Sequence, residues 1–264
     1  MGKHVREKAS KKMWKSFKKV ILLLVFLLIW ELLPAFGIIN KTFFAPPSEV
    51  FVALVRLLIS GELWIHTSIS LKRAFTGFSI AAITMIPLGF LMGWYNDFEE
   101  IADGLVQTLR QTSSLSLFPV FILFLGIGEI SKIAVIFWGA QWPILLNTIS
   151  GVRSVDPLLI KSARSMGSSA VSLFGKVVLP SSLPSIITGV RLSATHSIIV
   201  LVAAEMIGAK SGLGYSVINW EYNFMIPEMY AAIVTLAVLG LITNYALVWL
   251  EKTTTKWKED VMIT

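Results

Sequence analysis

The chain has 264 residues, of which 55% are hydrophobic and only 15% charged, and its mean hydropathy is +0.74. Soluble domains carry about 25% charged residues, so this composition excludes an ordinary water-soluble enzyme, a disordered chain and a fibrous protein, and leaves an integral membrane protein. The net charge is +7, and with no cysteine in the chain disulfides, thiolate metal sites and cysteine nucleophiles are excluded.

The first 19 residues form a basic arm holding Lys3, Arg6, Lys8, Lys11, Lys12, Lys15, Lys18 and Lys19. Cations just before an apolar run mark a cytoplasmic N-terminus; a nucleic-acid-binding arm is the rival reading of such a cluster. The first apolar run, Val20–Ile39, continues through Trp30 and Glu31 to Pro34 without a small-x-small cleavage site, which favours an uncleaved span over a signal peptide. Ala45-Pro46-Pro47 then leads into a short helix over Ser48–Ser60, with Ser48 as N-cap and Gly61 as its stop. About 13 residues reach only about 20 Å, too short to cross, so this helix is expected on the outer surface.

Five further spans follow, at about 67–94, 105–125, 133–151, 183–207 and 229–250, each near the roughly 20 apolar residues that a crossing needs. An even number places both ends on one side, and the tail Glu251–Thr264 carries Lys252, Lys256 and Lys258. Cations expected outside or at the outer edge are few: Lys41, Arg56, Lys72, Arg73, Lys132 and Lys210. The expected architecture is therefore an all-α polytopic membrane protein with about six spans and cytoplasmic termini. Its parts are a basic arm at 1–19, a membrane domain at 20–250 and a tail at 251–264.

The longest inner segment between spans, 152–182, mixes Arg153, Asp156, Lys161 and Arg164 with Leu158, Leu159, Ile160, Leu173 and Phe174. That pattern suits two short amphipathic helices around a turn at Gly167. It is too apolar for a solvated linker and too charged to span, so a partner is expected on it. A helix resting on lipid headgroups is the plainer alternative.

Polar residues within spans are costly and default to a pathway hypothesis. The candidates are Ser113 and Ser114, with Ser116, near the start of the third span, Gln141 and Asn147 around Pro143 in the fourth, and Arg191 and His196 in the fifth. Arg191 either meets an anionic solute or snorkels or pairs within the subunit, and the structural role is preferred. For the serines, Gln141 and Asn147, helix-to-helix hydrogen bonding is the alternative; for His196 it is ordinary packing. Gly89 and Gly93 form a G-x-x-x-G, which favours close helix contact within or between subunits. Glu205, followed by Gly208, Gly212 and Gly214, falls near the outer end of the fifth span, where either a gate or a flexible loop is expected.

Enzyme signatures are missing. Gly175-Lys176 is the nearest fragment to a phosphate loop, and its upstream Gly167 stands at the wrong spacing. There is no H-E-x-x-H and no G-x-S-x-G, and His4, His66 and His196 are scattered. No bound cofactor or metal is expected. An ion-coupled secondary transporter or a channel, the main rival without an ATPase, would want carboxylates at mid-membrane, and the spans offer only Glu31 and Glu205 near their outer ends.

The segment Lys161-Ser162-Ala163, Gly167 and Val177-Val178-Leu179-Pro180 resembles the E-A-A-x3-G-x9-I-x-L-P signature of binding-protein-dependent ABC importer permeases. Ala163, Gly167, Leu179 and Pro180 match, while Lys161, Ser162 and Val177 replace Glu, Ala and Ile. Ala45-Pro46-Pro47-Ser48, Gly126–Lys132, Gly151–Asp156 and Ala203–Ala209 followed by Gly212-Leu213-Gly214-Tyr215 are similar to the nitrate/sulfonate/taurine branch, so the resemblance runs from about residue 28 to 250. It implies a type I permease fold in a prokaryotic cytoplasmic membrane. It also implies a second permease chain, a homodimer being the expected form, and a solute-binding protein outside. An ATPase pair that carries ATP and Mg would dock on a coupling helix at Leu159, Lys161, Ser162, Ala163, Arg164, Gly167, Leu179 and Pro180. Lys161 reverses the charge usual at its position, which implies a matching change in the ATPase. Lipid is the remaining partner, and no nucleic acid is expected.

Overall fold

A computed structural model describes residues 2–37, 39–40 and 42–254, and up to position 20 the side chains of Trp14 and Lys18 alone. The other side chains of the basic arm, Lys41, and the tail from 255 lie outside the described residues. Among the described residues eleven α-helices follow one another: α1 (Gly2–Ala35), α2 (Pro47–Ile59), α3 (Glu62–Trp94), α4 (Asn96–Arg110), α5 (Ser114–Leu125), α6 (Glu129–Arg153), α7 (Pro157–Ser165), α8 (Ala170–Leu173), α9 (Leu179–Gly208), α10 (Leu213–Tyr222) and α11 (Ile226–Thr254). A π turn, Phe174–Val178, joins α8 to α9.

Among the described residues, Glu62–Trp94, Glu129–Arg153, Ala170–Gly208 and Ile226–Thr254 are long and apolar enough to cross a bilayer, and Ile21–Ala35 is a shorter apolar helix. The expected third span is not one straight helix: α4 and α5 meet at a bend of 94°, and together they make up to a fifth crossing. The reason is chemical. Asp97, Glu99, Glu100 and Asp103 make α4 amphipathic, whereas α5 is apolar from Leu117 on, so the two halves suit different surroundings.

The chain divides into two compact units, Met1–Leu63 with Val217–Val234, and Trp64–Ser216 with Thr235–Thr264. In the first, α2 is pinned by side chains. Trp30 Nε1 donates to the Ala45 carbonyl at 3.0 Å, and Trp30, Phe44 and Tyr230 cluster with ring centroids about 6 Å apart. Ser48 does not cap α2: Pro46 holds that position and Pro47 starts the helix, where a missing N–H costs nothing. Ser48 instead donates its N–H and hydroxyl to the Glu31 carboxylate at 3.1 and 2.7 Å. Gly61 stops the helix as expected, at φ +80°, and Arg56 pairs with Glu228.

The second unit is built on α6 and α9, packed along their length by small residues. A Cβ on Gly189 would lie 2.7 Å from Asn147 Cβ, and one on Gly151 2.8 Å from Ser185 Cβ. The G-x-x-x-G contact is within the chain: a Cβ on Gly89 or Gly93 would lie 2.6 or 2.7 Å from the Cβ of Thr148 or Val152 on α6. Ala74, Phe118, Val135, Ile136, Val200, Leu201 and Ala204 join α3, α5, α6 and α9 in one core, while Met92, Val106, Leu145 and Ile149 attach α4. Gly89→Leu is expected to overpack the α3–α6 contact by about 1–3 kcal/mol and lower the melting temperature of the detergent-purified chain. Gly104→Leu, with no atom within 4 Å of its Cβ, should leave the melting temperature unchanged or raised.

Candidate functional site

Three places concentrate polar chemistry in the second unit. The first is the 152–182 segment. Asp156 caps α7 by accepting from Leu158 N at 2.7 Å, and Pro157 opens the helix. Gly167 ends it: its φ is +77°, and this left-handed residue lets Ser168 N reach back to the Ala163 carbonyl at 3.1 Å. Ser169 then caps α8. The two short helices expected around Gly167 are α7 and α8.

Burial sorts the side chains. Val152, Val155, Ala163, Leu173 and Val178 face inward, and Ile160 packs against them, so Ile160 is not part of an outward anchor. Leu158 (67% exposed), Leu159, Met166 and Val171 face outward, with Lys161, Ser162 and Arg164 also exposed. Met166 and Val171 were not singled out from the sequence; their exposure follows from the turn rather than from hydropathy. Leu179 is exposed and Pro180 half-buried. Pro180 does not end an element: it stands in the first turn of α9, just after the π turn. The widened turn accommodates a ring that would otherwise meet the carbonyl four residues back.

The second place is a buried charge cluster. Arg73 Nε and Nη2 donate to the two oxygens of Glu129 at 2.6 Å each, and Nη1 donates to Glu205 Oε1 at 2.7 Å and to the Ser211 carbonyl at 2.6 Å. Ser70 Oγ donates to Glu205 and accepts from Leu213 N at 2.8 Å, and Gly214 N donates to Glu205 Oε2 at 2.9 Å. Gly212 is required here, because a Cβ on it would fall inside the Glu205 carboxylate. Lys132, also buried, donates to the Gly128 carbonyl at 2.9 Å. Arg73 and Lys132, expected outside or at the outer edge, are both buried among neighbouring helices. The sequence signal was the length of α3, which carries Arg73 three turns inside a helix starting at Glu62.

The third place is a cavity of about 350 Å³ at the α4–α5 bend, walled by Arg110–Leu115, Gly139, Trp142, Pro143, His196, Ile199 and Val200. It brings together Ser113, Ser114 and His196 from the expected pathway set. The other three lie outside its wall. Gln141 is buried. Asn147 donates to the Pro143 carbonyl on its own helix at 2.8 Å. Arg191 Nη1 pairs with Glu251 Oε2 at 2.6 Å, the structural role preferred from the sequence. Among the described residues no cluster of three or more His, Asp or Glu is arranged to hold a metal.

With this geometry in place, comparison with known proteins decides the family. Residues 85–256 match the model of the binding-protein-dependent transport system inner membrane component. The chain belongs to that family. It is 34% identical to the aliphatic sulfonates transport permease protein SsuC of Bacillus subtilis over 97% of this chain and 93% of that one. It is 30% identical to the taurine transport system permease protein TauC of Escherichia coli over 94% of both. The MetNI methionine ABC transporter in inward-facing conformations shares the fold, with a TM-score of 0.61 at 20% identity, over 75% of this chain and 96% of that one. The chain is thus an all-α, multi-pass membrane permease of the ABC importer type.

The Arg73 cluster makes a direct prediction for this permease. Arg73→Ala strands Glu205, whose side chain is fully buried, and is expected to cost about 3–5 kcal/mol. Glu129→Gln, at a side chain 59% exposed, should cost about 1 kcal/mol or less. Thermal unfolding of the two variants in the same detergent measures the difference.

Proposed function

We propose that the chain forms, with a second copy, the membrane core of an ATP-driven importer for a small anion of the sulfonate, nitrate or taurine type. A cytoplasmic ATPase pair docks on α7 and α8, holding ATP and Mg, and a solute-binding protein delivers cargo to the opposite face. Both termini and the 152–182 segment lie on the cytoplasmic side, and lipid covers the apolar flanks. The anion reading rests on the relatives, two of which are named for sulfonates and for taurine, itself a sulfonate.

The observation that carries the docking role is the outward face of α7. Leu158 and Leu159 stand exposed beside Lys161 and Arg164 on a helix fixed at both ends, by the Asp156 cap and the Gly167 turn. Ile160 packs that helix against Val152 at the end of α6, Val155 and Val178 just before α9, so a push on α7 moves the long helices as bodies. Nucleotide-driven closure of two ATPases would draw the α7 helices together and turn the cavity from one side to the other, a rigid-body switch. Arg164, and Lys161 in place of the usual acid, set the polarity that the ATPase cleft must complement.

Leu159→Glu and Gly167→Trp test this reading. Leu159 is half-exposed, so its change leaves the core alone; nothing lies within 4 Å of a Cβ on Gly167, but a side chain at φ +77° strains the turn that ends α7, so Leu159→Glu is the cleaner of the two, and both chains should insert in the membrane. ATP-dependent uptake in proteoliposomes is expected to fall about tenfold or more, equivalent to about 1.4 kcal/mol of lost coupling, with the ATPase no longer co-purifying. Normal uptake by both variants would remove α7 from the coupling role.

A further inference from the structure

Residues 111–113 interrupt the helical path between α4 and α5. Their depth follows from the chain itself. Arg73 bonds both Glu129 and Glu205, so the start of α6 and the end of α9 lie at one level, and a three-residue turn puts the end of α5 there too. Ser114 is 11 residues from Leu125, Gly139 is 10 residues from Glu129, and His196 is 9 residues from Glu205. At about 1.5 Å per residue all three lie about 14–17 Å from that end, the middle of a hydrocarbon core about 30 Å thick. Irregular backbone at this depth is tolerated where it lines a cavity.

The chemistry of the wall is one-sided. It offers the guanidinium of Arg110, the Gln111 amide, the hydroxyls of Thr112, Ser113 and Ser114 and the imidazole of His196, and it contains no carboxylate. Arg56, Arg73, Arg153 and Arg191 each pair with a glutamate. Among the described residues Arg110 makes no ion pair, and only Arg164 on the α7 face shares that condition. Trp142 also lines the wall, but its Nε1, which has no partner among the described residues, is buried away from the space. Ser113, the N-cap of α5, makes no side-chain capping bond, so its hydroxyl is not spent on its own helix. Gly139 permits a close approach at the wall: a Cβ there would lie 2.8 Å from Val200 Cγ2, 3.1 Å from Ser114 Oγ and 3.2 Å from His196 Nδ1.

We propose that this cavity is a mid-membrane acceptor site for a small oxyanion, a sulfonate or a group of like charge and size, with Arg110 as its charged anchor and the Ser113–Ser114 turn and His196 as hydrogen-bonding partners. The inference rests on the importer reading for its cargo and adds where in the permease that cargo is held. A volume of about 350 Å³ is at the small end of ligand pockets. Arg110, though exposed, lines this cavity without an ion pair among the described residues, and its guanidinium suits the paired oxygens of a sulfonate. Arg191, the cation that the sequence put forward for this role, is engaged with Glu251.

The absence of native cysteine makes the test direct. Ser113→Cys and, separately, Ser114→Cys are expressed in the full chain and reacted in membrane fragments. The two probes are an anionic alkanesulfonate thiosulfonate reagent (2-sulfonatoethyl methanethiosulfonate) and its cationic trimethylammonium analogue. Each rate is divided by that reagent's rate with free 2-mercaptoethanol. The expected result is a preference for the anionic probe of about tenfold or more, as one uncompensated charge within several ångströms predicts, falling to near unity when Arg110→Gln is added and retained with Arg110→Lys. Equal or cation-favouring rates, no reaction at either cysteine, or a preference indifferent to Arg110→Gln would each overturn the proposal. The assay needs no ATPase and no transported solute. A charge-blind cavity in a chain that still supports ATP-dependent uptake would therefore sink this inference alone, whereas uptake without any ATPase would sink the importer reading and leave the labelling result standing.

Discussion

A backbone N–H or C=O left unpaired in hydrocarbon costs several kcal/mol, and the rest of this structure follows from that constraint. It forces helices of about 25–33 residues at α3, α6, α9 and α11. Where the chain leaves helical geometry, side chains repair the loss. Thr112 O at the α4–α5 bend accepts from Trp138 Nε1 at 3.5 Å. Gly128 O accepts from Lys132, Ser211 O from Arg73, and Gly212 N donates to His66 Nδ1 at 3.1 Å. Each irregular segment is thus tied to a neighbouring helix by a polar side chain, and the three candidate places sit where those ties are made or are conspicuously open.

Charge obeys the same logic. Buried or half-buried arginines in the described part of the chain are spent on carboxylates, and the Arg73–Glu129–Glu205 cluster links α3 to the start of α6 and the end of α9. Glu205 has its oxygens occupied by Arg73, Ser70 and Gly214, so the one acid deep in this unit is a fastening, not a free carrier for a coupling ion. Arg110 and Arg164 stand apart. Neither makes an ion pair among the described residues; one lines the cavity at the α4–α5 bend and the other lies on the exposed face of α7.

Much of this was legible from residues alone. Apolar runs located the membrane segments, and the G-x-x-x-G at Gly89 and Gly93 announced a close helix contact. The turn at Gly167 and the amphipathic pieces on either side of it were readable because Gly and cap residues act locally. The break at 111–113 was not, because hydropathy across 105–125 averages out the change from an acidic amphipathic helix to one that is apolar from Leu117 on. Nor did Arg73 declare itself: its partners are 56 and 132 residues away, and no local pattern links them. Arg191, read from the sequence as either meeting an anion or pairing within the subunit, is engaged by a similarly distant glutamate, Glu251, 60 residues away.

The central claim is that α7 carries the contact between this permease and an ATPase. Ser162→Cys, exposed on that helix in a cysteine-free chain, can be joined to its neighbour in native membranes by a short thiol-reactive cross-linker and the adduct identified by mass spectrometry. The account predicts one nucleotide-hydrolysing subunit per permease chain, cross-linked at that position and lost with Leu159→Glu. A cross-link to lipid alone, in membranes that still import by ATP hydrolysis, would contradict it.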